Sequence, residues 1–464
     1  MKHPHSSKSS KQGSILLTAV IFLFIGFSVA AITLRDALHN SRMVENQVNI
    51  ERAHYFAETG AEQAADRISK FIGYIPEITS YGHNYGAGRW DYEIIKTGWR
   101  TYRVEAIGSV NGVSRQLNID RVRYPTFAQY GMWTADFRDL WLIPGQLQEG
   151  QYHSDSRMNI WSSPSAGGPV FTGKVTTGHH KFGGWPAYAT FEQGYEFNSF
   201  QGTMATIDFS EMEGEAQKNG MVLKGETSIY FDLDPASGEG QVYLKNWDKY
   251  GNNGWHAESL EGLEIVYVKD KIDDEGDVSS SGKIQLYGGT VDGSLTFYAD
   301  DDIWLKDHMY YKNDPSDDND VIRDYPEDSD DKVGFISKDD IWVSTSAPDD
   351  LTMFGAFIAA GPGVSGNKGN MGVSNYNSYL LGARGYFTTY GSRVMEQVYP
   401  GGTFNSRTGL QQTGYASKNL FDERFIDDPP PFYPPISEKL VFEEWHYSVV
   451  GFTGVEGNPP PESD

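Results

Sequence analysis

Four groups of residues have types and spacings that invite a chemical reading. His153, Ser154 and Asp155 place an imidazole, a hydroxyl and a carboxylate side by side, the parts of a hydrolase. Neighbours on a strand point to opposite faces, so this run cannot by itself form a triad. His179-His180 is the only adjacent pair among 11 histidines; it lies in a Gly-rich stretch and reads as an exposed loop rather than a metal site. Acidic residues crowd two loops. One holds Asp314, Asp317, Asp318, Asp320, Asp324, Glu327, Asp328, Asp330 and Asp331, the other Asp273, Asp274, Glu275 and Asp277. Calcium takes several oxygen ligands, and if either loop binds it the longer is favoured, through Asp314, Asp317, Asp318 and Asp320. Neither matches an EF-hand loop or a nonapeptide repeat, so a solvated loop is the simpler reading. Finally, Trp304 and Trp342 stand at equivalent places in a repeat. They are suited to stacking on the sugars of a glycan ligand, or to packing, since tryptophan buries a large area.

No HExxH, GxSxG or P-loop motif occurs in the sequence. The expectation is therefore a non-enzyme with no catalytic residues and no cofactor, calcium excepted. There is no cysteine, which removes disulfides, thiolate zinc sites and cysteine nucleophiles. The formal charge is −25. The first 13 residues carry Lys2, Lys8 and Lys11 and no acid, so the remainder holds about −28. Such a body repels phosphate backbones, and nucleic acid is not an expected partner.

These groups sit on a chain of 464 residues, long enough for several parts. From Gln12 to Leu34 no residue is charged. The run contains Ile15, Leu16, Leu17, Val20, Ile21, Phe22, Leu23, Phe24, Ile25, Phe27 and Ile32, enough for a membrane-spanning helix of roughly 20 residues. Lysines before it and an acidic body after it put the N-terminus in the cytoplasm and the rest outside. A second apolar stripe follows at steps of four and three: Ala53, Ala57, Ala61, Ala64, Ile68 and Phe71. With no proline before Pro76, one helix from about Ser14 to Ile72 would run roughly 90 Å, with Gly60 as its weak point. A rival reading is a secretory signal cut after Ala30 of Ser28-Val29-Ala30.

Lys11-Gln12-Gly13-Ser14, the apolar run, and Ala53-His54-Tyr55-Phe56-Ala57-Glu58-Thr59-Gly60-Ala61-Glu62 together resemble the N-terminal region of type IV pilin-like proteins, especially PilX-like minor pilins and pseudopilins. The second stretch is similar to that family's A-x-x-x-A-E-x-G pattern. The resemblance implies a prepilin peptidase cut after Gly13, a mature start at Ser14, N-methylation, and packing with other pilin-like subunits as well as with membrane lipid. Two positions depart from the family: Ser14 stands where an aromatic or Met is usual, and Thr18 where major pilins carry glutamate. A carboxylate in lipid needs a partner charge. Its loss fits a rare, priming or tip subunit rather than a bulk one, and leaves room for an uncleaved anchor.

Beyond Pro76 the pattern changes to period two. Residues 92–96, 102–110 and 115–122 read as strands, with Asn111-Gly112 as a hairpin turn. This small sheet is placed to pack on the alanine stripe. From about residue 127 short strands and turns continue, and Asp-Asp-Ile-Trp occurs at 301–304 and again 38 residues later at 339–342. Such repeats suggest stacked coils, a β-helix or β-solenoid, with a β-sandwich as the alternative. Residues 127–447 are also similar to β-rich domains of unknown function found behind PilX-like anchors, a resemblance that brings no activity. The 51 glycines and 14% aromatics suit a mainly β protein.

The expected order is a basic leader (1–13), a transmembrane helix (14–34), its amphipathic continuation (35–75), a small antiparallel sheet (76–126), a β-rich repeat domain (127–426) and a proline-rich tail with a last strand (427–464). The expected role is a minor-pilin-like assembly protein of a type IV pilus or type II secretion-like system. It would sit as a single-pass protein in a bacterial inner membrane, its body periplasmic or extracellular. The alternative is a membrane-tethered carbohydrate-binding or carbohydrate-active β-helix protein.

Overall fold

The structure is a computed structural model that describes residues 11–70, 78–201, 207–312, 329–361, 369–437 and 439–448, with side chains from residue 16 onward. Phe71 and the acidic run through Asp314, Asp317, Asp318 and Asp320 lie outside the described residues. The chain forms two compact units, one from residues 1–123 with 440–464 and one from 124–439.

In the first unit a single helix, α1, spans Lys11–Lys70 without a break. Nothing in that stretch is proline, and two hydroxyls of its apolar half bond back to the helix: Ser28 Oγ donates to the Phe24 carbonyl at 2.8 Å and Thr33 Oγ1 to that of Ala30 at 3.0 Å. A hydroxyl bonded to its own helix needs no water. Five antiparallel strands form the partner sheet, in the order Ile78–Tyr85, Gly88–Gly98, Thr101–Val110, Val113–Arg123 and Val441–Ser448. Asn111 and Gly112 have φ of 48° and 80°, the two positive values that a tight type I′ hairpin turn needs. Period-two burial puts Tyr102, Val104 and Ala106 on one face, with Leu117 and Ile119 beside them. The last strand comes from the far end of the chain, and Arg123 ties it down with a 2.9 Å ion pair to Glu443.

The second unit is a solenoid of parallel coils. One of its faces is a ladder of ten strands, each parallel to its neighbours. In spatial order these are Gly220–Lys224, Ile265–Lys269, Ser294–Ala299, Lys332–Ser337, Thr352–Ala359, Ala383–Val398, Tyr130–Asp136, Gln151–Ser154, Val175–Thr177 and Tyr195–Phe197. The earliest strand in sequence lies inside the stack. The chain winds from Tyr130 outward to Phe197, crosses to the other end, and winds back until Arg393 pairs with Met132. The described parts of the crossing lie over the outside of this face. The Trp133 indole donates to the Gln201 carbonyl at 2.9 Å, and Glu213 on α2 (Phe209–Asn219) holds Lys269 at 2.6 Å. Asp208 caps α2 by accepting from the backbone N–H of Ser210 and Glu211. The Pro-rich segment packs over the same face, where the Tyr298 hydroxyl donates to the Phe432 carbonyl at 2.7 Å and Tyr433 is fully buried.

Asp-Asp-Ile-Trp marks one turn of this solenoid. Ile303, Trp304 and Leu305 pair in parallel register with Ile341, Trp342 and Val343. The antiparallel face-to-face sheets of a β-sandwich are not what the coils form. Inside, register aligns Val266, Phe297, Phe335, Phe357, Arg393, Met132, Tyr152 and Val175 in one row. Phe297, Phe335 and Phe357 stack nearly flat, with ring centres 5.3 and 5.5 Å apart.

Candidate functional site

The helix α1 has two surfaces of opposite character. Leu16, Leu17, Val20, Ile21, Phe22, Leu23, Phe24, Ile25, Phe27 and Ile32 are all exposed along its first half, which makes it long and apolar enough to be a candidate membrane span. Gly13, Ser14 and Ile15 lie in its first turns. In the second half Ala53, Ala57, Ala61, Ala64 and Ile68 are buried against the sheet. Small residues let the two backbones close up. A Cβ on Gly108 of the sheet would stand 2.1 Å from the Ala53 carbonyl oxygen and 2.4 Å from the Ala57 nitrogen. Gly60, a weak point by helix propensity, has a packing reason: its Cβ position is 3.3 Å from Ala106 Cβ. Around this stripe Phe56 stacks on Trp90, the Trp90 indole donates to Gln63 Oε1 at 3.0 Å, and the Tyr447 hydroxyl donates to Glu58 at 2.8 Å. The sequence pattern contains the alanines; their receiver carries a weaker signal, since a lone glycine within a strand, as Gly108 is, marks either a bulge or a close backbone approach.

On the solenoid, alternation sends Ile303, Leu305, Ile341 and Val343 inward and leaves Trp304 and Trp342 half-buried outside. The two indoles lie 6.5 Å apart at 40°. Trp342 meets Tyr399 edge-on at 4.9 Å and Tyr399 meets Tyr376 at 5.7 Å, so four aromatic rings run in a row. Beside them, carboxylates of Asp301, Asp302 and Asp339 come within 4.8 Å of one another, and Lys283 lies 3.8 Å from Asp301 and 3.9 Å from Asp302. Burial, and then the charge of Asp301, push the Asp302 carboxyl up to about 6. Burial also raises Asp340, against hydrogen bonds from the backbone and side-chain nitrogens of Asn370 at 2.6 and 3.0 Å. The sequence flagged these aspartates as a repeat and not as a cluster. The signal was present, because residues 38 apart on successive coils stack directly.

His153 and Asp155 do meet: Nε2 is 2.8 Å from Asp155 Oδ1 and Nδ1 is 2.7 Å from Thr176 Oγ1. The imidazole is fully buried against Trp133. Ser154 faces away and its hydroxyl lies 3.4 Å from that of Ser156, so the three side chains are not assembled as a triad. The rings of His179 and His180 lie 4.2 Å apart, and His179 Nδ1 is engaged by the Lys181 backbone.

No family model matches the chain, and no curated protein matches it. Among solved structures it is similar to the crystal structure of competence-associated pilin ComZ from Thermus thermophilus. The identity is 9% and the TM-score 0.29, with 87% of this chain and 98% of that chain covered. A likeness this distant fixes neither fold nor function.

Proposed function

We propose that this chain is a membrane-anchored, minor-pilin-like assembly subunit of a type IV pilus or type II secretion-like apparatus, and that it works by assembly rather than catalysis. The observation that carries this reading is α1, one unbroken helix with an exposed apolar half and a half docked on a sheet by an alanine stripe. Leaving each large apolar side chain in water forgoes roughly 1.5–3 kcal/mol. The ten such residues in the first half therefore need lipid or neighbouring helices. Prepilin peptidase would cut after Gly13, leaving Ser14 as an N-methylated start. The segment from Ser14 to Leu34 would cross a bacterial inner membrane with its N-terminus in the cytoplasm, and both folded units would lie on the far side. Other pilin-like subunits would pack against the exposed half of the helix.

Mass spectrometry of the mature N-terminus from membrane fractions tests this. A start at Ser14 is expected. A start at Ala31 would remove the anchor and overturn the reading, and an intact Met1 would leave only a tethered domain.

The half-exposed Trp304 and Trp342 favour a second reading, a membrane-tethered glycan-binding protein. An aromatic ring contact is typically worth about 0.5–1.5 kcal/mol. Under this reading Trp342→Ala lowers binding on a glycan array by roughly tenfold; an unchanged array signal, or none for the unaltered protein, speaks against it.

A further inference from the structure

The inner row of the solenoid is apolar on both sides of one residue. Phe357 precedes Arg393 in register and Met132 and Tyr152 follow it. Arg393 is only 6% exposed. Its Nη1 donates to Ser417 Oγ at 3.0 Å and Asn419 Oδ1 at 2.9 Å, and its guanidinium lies over the Phe387 ring at 5.0 Å. Both hydrogen-bond partners are neutral, and among the described residues no carboxylate pairs with it. Burial lowers its pKa to about 10, so it is still a cation at neutral pH. An uncompensated buried charge costs several kcal/mol, and an apolar side chain of similar volume would fill the row without that cost.

What faces Arg393 is a cavity of about 350 Å³, at the lower end of the roughly 300–1,000 Å³ of small-molecule sites. Three of the residues that line it carry a buried donor with no acceptor among the described residues: Arg393 Nε, Gln148 Nε2 and the Tyr152 hydroxyl. Gln148 and Tyr152 are each 1% exposed. Gln148 has its carbonyl oxygen occupied by the Asn419 amide, which leaves its NH₂ to look elsewhere. The cavity is also lined by the aromatic residues Trp141, Phe387, Tyr376 and Tyr399. The cavity lies where the two arms of the solenoid join, at the pairing of Ala383–Val398 with Tyr130–Asp136. Its partly exposed lining at Trp141, Tyr399 and Pro400, with exposed Asp139 beside them, makes a mouth.

We infer that this cavity is a binding site for a small organic carboxylate with a ring-sized body, held by Arg393, Gln148 and Tyr152. A guanidinium with two neutral partners and a free Nε lacks an anionic acceptor, and a carboxylate offers two oxygens that match its fork. One positive charge balances one negative charge. A phosphate dianion would leave a surplus charge buried, with Asp139 at the mouth adding to the repulsion. The aromatic walls take the body of the ligand by stacking. The site is independent of how the chain is anchored.

The test is calorimetric titration of the full chain in detergent with D-galacturonate and benzoate, set against neutral D-galactose and inorganic phosphate. At least one carboxylate is expected to bind about tenfold or more tightly than galactose and phosphate. Arg393→Met should abolish that binding, and Tyr152→Phe should weaken it about fivefold. If Arg393→Met fails to fold, Tyr152→Phe and Gln148→Leu decide alone. Failure of both carboxylates to bind, equal binding of galactose, tighter binding of phosphate, or binding unchanged in the folded variants would overturn the assignment.

Discussion

Phe335→Ala is expected to destabilise the solenoid by about 3–5 kcal/mol, the usual cost of emptying a phenylalanine site in a core. Phe335 is fully buried and touches aromatic rings from the coil on either side, at 5.3 Å from Phe297 and 5.5 Å from Phe357, with Phe231 edge-on at 6.5 Å. Removing the ring forfeits its transfer free energy and leaves a void between two strands whose backbones are pinned by parallel ladder bonds. The strands cannot close the gap, because a coil moves only with its neighbours. The damage should be local in the sequence of events: the strands Ser294–Ala299, Lys332–Ser337 and Thr352–Ala359 open first. Urea titration of the full chain in detergent, followed by aromatic fluorescence, reads the overall loss, and hydrogen exchange reads where it falls. A loss below about 1 kcal/mol would mean that the inner row is not packed as a continuous stack.

This row also shows how much of the fold was legible in the sequence. The repeat at Trp304 and Trp342 exposed one turn of the solenoid because that turn contains 38 residues and keeps its motif in both copies. The other turns differ in length. Register partners lie 31 residues apart from Val266 to Phe297, 22 from Gly334 to Ala356 and 36 from Phe357 to Arg393. A parallel ladder fixes the pleat of each coil and leaves its loops free to vary, so no single period marks the chain. The position of Tyr130–Asp136 inside the stack was beyond reach for a related reason: sequence order says nothing about a pairing that closes over 260 residues, such as that of Met132 with Arg393. The site fared similarly. The exposed apolar run and the alanine stripe are local patterns of period 3.6 and read directly. Arg393 is one of three charged residues in its strand, with Arg384 and Glu396, and only the register that sets it between Phe357 and Met132 makes it unusual. Ser154 was separable from His153 and Asp155 because strand alternation is a local rule.

Gly108→Val is expected to separate α1 from its sheet while leaving the apolar half of the helix able to enter a membrane. The alanine stripe works only because the strand Thr101–Val110 presents no side chain at that point. A Cβ there would meet backbone atoms, Ala53 O at 2.1 Å and Ala57 N at 2.4 Å, and neither can rotate away as a side chain would. Relief requires the helix to rise, which withdraws Ala53, Ala57, Ala61 and Ala64 from the sheet together and admits water beneath them. Overpacking usually costs 1–3 kcal/mol; against backbone in a helix–sheet contact about 3 kcal/mol or more is expected. Ser109→Val, one position along the same strand, is the control. It loses the 2.8 Å hydrogen bond to Ser114, worth about 1 kcal/mol, and spares the interface. Limited proteolysis of membrane fractions distinguishes the two. Gly108→Val should yield cuts after Arg52 and Arg67, which the docked helix protects, with the protein still pelleting with the membrane. Equal protection in the two variants would show that the helix tolerates the added side chain and that the close approach does not hold the unit together.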